Sequence, residues 1–279
     1  MSIFKVSQAF ALAKIAASRV WLPKRRVKLV QTRANGVELL VFANEDVGRE
    51  LVFGGAYEIR ETRALCRLVR PDDICFDVGA NIGYYTTLFA RLAHSGSVHA
   101  FEPAQLNWHV LNTNLLLNRF RHVSMLHAAV GETAGSMPFS VSRDGAFSSL
   151  KDTGRDVEVD LIETSVITID DYVRAHNISR IDVMKVDVEG AEGLVINGAK
   201  ELLSGVETRP RVLMLELYDS NLVPFGFDVK GLAERIEALG YTAHIAGCDG
   251  ELIRFEAAHR NRHCNVFFTD NQPDSRRLA

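Results

Sequence analysis

The sequence predicts a doubly wound α/β fold on a mostly parallel sheet, and three observations lead there. From about residue 70, short apolar runs alternate with helical stretches of roughly 10–15 residues, the rhythm of parallel crossovers. The first two such runs end beside an acidic residue, Asp77 and Glu102, as expected where strand ends open on a ligand crevice. The chain has 279 residues, 47% hydrophobic and 24% charged, enough to bury its own core. This balance excludes wholesale disorder, and no apolar run reaches the roughly 18–20 residues of a membrane span.

Charge divides the chain unevenly. Net charge is −3, yet eight of the 32 Lys and Arg residues precede Glu38, leaving 24 against 35 acids beyond them. The overall balance argues against nucleic-acid binding. Residues 1–50 are expected to form a basic helix and hairpin extension, residues 51–270 the main domain, and 271–279 a polar tail. Within the head, residues 3–22 are apolar but interrupted by Lys14 and Arg19, unlike a secretory signal. A helix leaning on the main domain, weak peripheral contact with anionic lipid through Lys24, Arg25, Arg26 and Lys28, and a targeting peptide are its three readings. Val27–Thr32 and Val37–Ala43 flank Asn35-Gly36, a hairpin signal.

The main domain's elements follow in order. Strands are expected at Ile74–Val78, Val98–Phe101, Val123–Leu126, Ile181–Asp187, Val212–Leu217 and Tyr241–Ile245. Helices are expected at Tyr84–Ala93, Gln105–Asn118, Ala191–Leu203 and Val229–Leu239. Ser136–Val141 and Val157–Ile162 break the alternation and predict an antiparallel insert beside the crevice, a candidate substrate wall. Cys66, Cys75, Cys248 and Cys264 contain no CxxC pair, which suits a reducing, cytoplasmic setting. His259-x3-His263-Cys264 lacks a paired second half for zinc.

The most informative string is Asp77-Val78-Gly79-Ala80-Asn81-Ile82-Gly83-Tyr84, a buried strand entering a glycine turn and then a helix. Gly79 and Gly83 permit close backbone approach, and the helix start offers free N–H groups. Glu102 ends the next strand, where an acidic side chain grips ribose hydroxyls in dinucleotide folds; capping the following turn is its competing role. A pyrophosphate would want a Gly-x-Gly-x-x-Gly turn and positive surroundings, and Asp77 would repel it. An anionic cradle of Asp77, Gly79, Asn81, Gly83 and Glu102 suits S-adenosylmethionine instead, whose amino group and sulfonium are cationic. Ala129, with Ala128 and Val130, is the candidate adenine wall.

These residues, with Met184-Lys185-Val186-Asp187-Val188-Glu189-Gly190-Ala191-Glu192, Leu215-Glu216 and Gly55-Ala56-Tyr57-Glu58, resemble FkbM-type S-adenosylmethionine-dependent methyltransferases. The likeness covers roughly residues 50–268, and the Met184–Glu192 string is the most specific. The resemblance implies a seven-stranded class I methyltransferase sheet, Rossmann-like, and methylation of a hydroxyl oxygen on a sugar, glycan or secondary metabolite.

The segment Lys185–Glu192 places four ionisable residues at and beyond an apolar strand. A buried Lys185 needs a carboxylate partner, for which Asp187, Glu216 or another acid on a neighbouring strand are the candidates. Asp187 is the leading candidate to orient the acceptor hydroxyl or take its proton, with Glu189, Glu216, His127 and His263 as alternates. Helix capping is the competing role for Asp187 and Glu189. Ser148 and Ser149 are candidate acceptor contacts, and no metal is expected. Two rivals stand beside the methyltransferase: a non-catalytic S-adenosylmethionine-binding scaffold and a nicotinamide-dependent oxidoreductase. The acceptor itself is not legible.

Overall fold

The computed structural model describes residues 26–142, 159–256, 259 and 263–271. The apolar stretch of residues 3–22, with its lipid-contact reading, the candidates Ser148 and Ser149, and the tail beyond Asn271 lie outside the described residues.

Five parallel strands carry the fold: β3 (Ile74–Val78), β4 (Ser97–Phe101), β5 (Val123–Leu126), β9 (Val183–Val186) and β10 (Val212–Leu217). Three more extend the sheet antiparallel, β11 (Tyr241–Ala246), β12 (Leu252–Arg254) and β13 (Cys264–Asp270), giving the order β12-β11-β13-β10-β9-β3-β4-β5. The sheet therefore has eight strands, the eighth being the three-residue edge strand β12. Strand β13, which the alternation did not reveal, wedges between β10 and β11. The interior strands are buried almost throughout, as expected of a sheet covered on both faces.

Side-chain alternation splits the core into two layers. Phe76, Met184, Val186, Leu213 and Leu215 face α5 (Ile169–Ala175), α6 (Glu192–Asn197), α7 (Lys200–Ser204) and α8 (Val229–Glu237). Cys75, Val183, Met214 and Phe267 face α2 (Ile59–Leu68), α3 (Tyr84–Leu92) and α4 (Gln105–Asn118). The hairpin of β1 (Val27–Gln31) and β2 (Glu38–Phe42) adds Leu39–Phe42 to this second layer, and Asn114 on α4 clamps Leu40 through its backbone N–H and carbonyl. Its loop runs from Thr32 to Val37 rather than turning on Asn35-Gly36 alone, with Gly36 at φ 72°. The short helix α1 (Asp46–Gly54) follows.

The insert forms a separate three-stranded sheet. β7 (Gly135–Ser142) pairs antiparallel with β8 (Val159–Ile167), which runs parallel to β6 (Ala129–Val130). The expected single helix over Ala191–Leu203 is instead α6 and α7. The break falls at Gly198, whose carbonyl accepts Asp170 N–H at 3.0 Å and whose missing Cβ makes room for the Gly131 carbonyl. Among the described residues, no helix is long and apolar enough to cross a membrane.

Candidate active site

Register puts the chemistry at one end of the sheet. Asp77 pairs with Lys185, and Val186 pairs with both Val78 and Leu215, so Gly79, Asp187 and Glu216 emerge level at the carboxyl ends of three neighbouring strands. Asp187 N–H donates to Val78 O at 3.0 Å, tying two of those ends together. A Cβ on Gly79, at φ 79°, would run into the Asp187 carbonyl, so the two turns close only with glycine there. The turn is also held from β4: Gly79 and Ala80 both donate to Phe101 O, at 3.1 and 3.0 Å.

A cavity of about 410 Å³ opens above these ends. Gly79, Ala80 and Asn81 form its floor beside Glu102, and Ala128–Val130 with Phe139 of the insert form a wall. Tyr57, Glu58, Lys185, Asp187, Glu189, Glu216 and His263 form the other end. Of the residues expected to hold a cofactor, Gly79, Asn81, Glu102 and Ala129 line the cavity, while Asp77 and Gly83 do not. Gly83, at φ 90°, starts α3 and leaves room for Leu111. Asp77 is fully buried behind the turn, where Thr86 Oγ1 donates to it at 2.5 Å and the Lys185 ammonium lies 3.6 Å away. Asp77 therefore does not face the cavity as the expected anionic cradle requires; Glu102 lines it at this end, and Asp77 contacts Lys185 from behind the turn.

Glu102 fills the turn-capping role considered for it. Oε2 accepts Asn81 N–H and Oε1 accepts Ala104 N–H, each at 2.8 Å, so the carboxylate fastens the glycine turn to its own strand. Each oxygen has a second lone pair to offer a hydroxyl. Burial pushes its pKa up to about 7, against the pull of those two N–H groups.

Lys185 is 3% exposed. Its ammonium sits 3.1 Å from Asp187 Oδ2, donates to Gly79 O at 3.4 Å and lies over the Tyr85 ring. Burial alone would lower its pKa; Asp187 and Asp77 outweigh that and hold it above the ordinary lysine range. The expected partner Asp187 is therefore present, and the second partner is Asp77, an acid on the neighbouring strand β3, rather than Glu216.

Neither Asp187 nor Glu189 caps α6, whose N-cap Ala191 has no side-chain bond. Glu192 does the local work instead. It is fully buried, and its Oε1 accepts Val188 N–H at 2.9 Å and Gly190 N–H at 3.2 Å, fixing the turn that holds Glu189 at φ 54°. Burial, with the nearby Glu216, pushes its pKa up to about 8.

His263 stacks on Tyr218 and donates from Nε2 to Glu216 Oε1 at 2.5 Å, whereas His127 is exposed, packs on Trp108 and does not line the cavity. Sequence reasoning gave no role to Glu58, although its motif was visible. It accepts from Tyr85 Oη at 2.5 Å and Asn265 Nδ2 at 2.8 Å, and burial with the Asp187 charge pushes its pKa up to about 8.

The chain is 33% identical over 167 residues to 31-O-demethyl-FK506 methyltransferase FkbM of Streptomyces tacrolimicus, an alignment covering 48% of this chain and only 62% of that protein. It is 25% identical over 202 residues to 2-O-methyltransferase NoeI of Sinorhizobium fredii, covering 67% and 80% of the two chains. The solved methyltransferase FkbM from Methylobacillus flagellatus KT superposes with a TM-score of 0.47 at 16% identity, over 71% of this chain and 44% of that one. The methyltransferase FkbM domain itself matches residues 77–243, from the glycine turn through the acidic strand ends to β11, and the chain belongs to that family.

Proposed function

We propose that the protein is an S-adenosylmethionine-dependent O-methyltransferase acting on a hydroxyl of a small molecule or glycan. The observation that carries this reading is one cavity with two differently built ends. One end is backbone and a single buried carboxylate, Glu102; the other gathers Asp187, Glu189, Glu216 and His263. Two relatives named for O-methyl transfer support the oxygen acceptor.

The residues fit the cofactor. Gly79, Ala80 and Asn81 present backbone where any side chain at residue 79 would collide, and Glu102 is held with lone pairs to spare for ribose hydroxyls. Charge-assisted hydrogen bonds of that kind contribute about 1.5–3 kcal/mol each. Ala129 and Phe139 supply the apolar wall for the base. When bound, the cofactor would supply an electrophilic methyl group on a sulfonium, with sulfur as the leaving group. Asp187, held by Lys185, accepts a hydrogen bond from the acceptor hydroxyl and aims its oxygen at that methyl. Its proton passes to the carboxylates of this edge, and His263, half-exposed at the rim, relays it to solvent. Positioning of this kind can supply roughly 7–11 kcal/mol, and proton acceptance about 10²–10⁴-fold.

Calorimetry with S-adenosylmethionine and with NAD tests the cofactor: binding of the former alone is expected, and binding of NAD alone would overturn the reading. Turnover of labelled donor on a panel of hydroxylated glycans and metabolites is expected to fall at least about 100-fold in Asp187→Asn with donor binding retained. Donor binding without turnover on any acceptor would favour a scaffold.

A further inference from the structure

The acidic end of the cavity has features that acceptor binding alone does not require. One carboxylate oxygen from each of Asp187, Glu189 and Glu216 lies within 4.8 Å of the others. Each of the three is steadied by a donor from outside the group: Lys185 on Asp187 Oδ2, Asn221 Nδ2 on Glu189 Oε2 at 3.1 Å, and His263 on Glu216 Oε1. Second, Glu216 is 8% exposed, and its Oε2 is buried with no hydrogen-bond partner. An orphaned carboxylate oxygen at a cluster of like charges is costly unless something positive completes it. Lys185 does not serve that purpose, because its one charge is shared between Asp187 and the buried Asp77.

We propose that Asp187, Glu189 and Glu216 form a binding site for a hard divalent cation of the Mg²⁺ or Mn²⁺ type, at the acceptor end of the cavity. The donor set is all carboxylate oxygen, which suits such ions and not the soft thiolate-seeking metals. Outer donors that orient ligating carboxylates, as Asn221 and His263 do here, are the usual support of a metal site. Three protein ligands leave coordination positions for water or for neighbouring oxygens of a hydroxylated acceptor, whose hydroxyl proton the ion would acidify. This role rests on the O-methyltransferase reading; the ion site itself does not.

The test titrates Mn²⁺ into the tag-free full chain and follows loss of the free-ion electron paramagnetic resonance signal. Calorimetry with S-adenosylmethionine in EDTA runs in parallel. One saturable Mn²⁺ site is expected, displaced by Mg²⁺ and weakened at least about ten-fold in both Glu189→Gln and Glu216→Gln. Glu189 is half-buried on a turn, so its amide variant remains informative where Glu216→Gln fails to fold. Absence of saturable Mn²⁺ binding, or binding unchanged in Glu189→Gln, overturns the site. Donor binding that persists in EDTA keeps the methyltransferase reading when the ion site fails; loss of donor binding with Mn²⁺ binding intact does the reverse.

Discussion

Lys185 shows how much one side chain can decide. It lies mid-sheet between two carboxylates that have little else to neutralise them; Asp77 Oδ1 has no hydrogen bond and only this ammonium at 3.6 Å. Removing one partner of a buried pair typically costs about 3–5 kcal/mol, because the other charge stays behind. Lys185→Met is expected to lower the melting temperature by roughly 10 °C, read by thermal circular dichroism. An unchanged melting temperature would show that Asp77 is already neutral. Glu102 makes the complementary case. Replacing it by Gln keeps one acceptor oxygen but turns an NH₂ toward an N–H group or a ribose hydroxyl. Glu102→Gln is expected to weaken S-adenosylmethionine binding by at least about ten-fold in calorimetry, with little change in fold.

At the scale of elements, the site depends on short helices that cannot stand alone. α7 has five residues, and its N-cap Ala199 offers no side-chain acceptor. Asp170, from the first turn of α5, supplies the cap from another helix, accepting Glu201 N–H at 2.9 Å and Leu202 N–H at 3.0 Å. The expected helix over Ala191–Leu203 breaks where these two elements meet, because Gly198 is already bonded to Asp170 N–H. Asp170→Ala is expected to cost about 1 kcal/mol in chemical denaturation, with the denaturant dependence unchanged. A neutral substitution would mean that packing of Leu202 and Leu203 suffices.

At the scale of the molecule, buried acids make stability depend on pH. Glu102 and Glu192 have pKa values raised to about 7 and about 8, above the ordinary glutamate value of the unfolded chain. The native state therefore keeps protons that the unfolded chain releases. Their contribution is complete below pH ~4.5 and is lost as pH rises through about 7–8. The ligand-free protein is expected to melt several degrees lower at pH 8.5 than at pH 5.5. Glu192→Gln, which preserves the acceptor for Val188 and Gly190 N–H, is expected to flatten that slope in calorimetric scans. A slope equal to that of the natural chain would assign the effect elsewhere.

The sequence by itself determined the parallel strands, the glycine turn and the acidic ends of β3, β4 and β9, because apolar runs and turn glycines report local backbone needs. It also marked Asp187, Glu189 and Glu216 individually. Strand β13 escaped it, since an antiparallel strand after a polar segment carries no crossover helix to announce it. Only the tertiary structure decided that Asp77 stands behind the turn rather than in front of it, that Glu192 rather than Asp187 holds the local turn, and that Glu58, Glu216 and His263 share one cavity. Those outcomes depend on register and on which strands become neighbours, and contacts between residues as distant in the chain as Glu58 and Asn265 leave no periodicity along it.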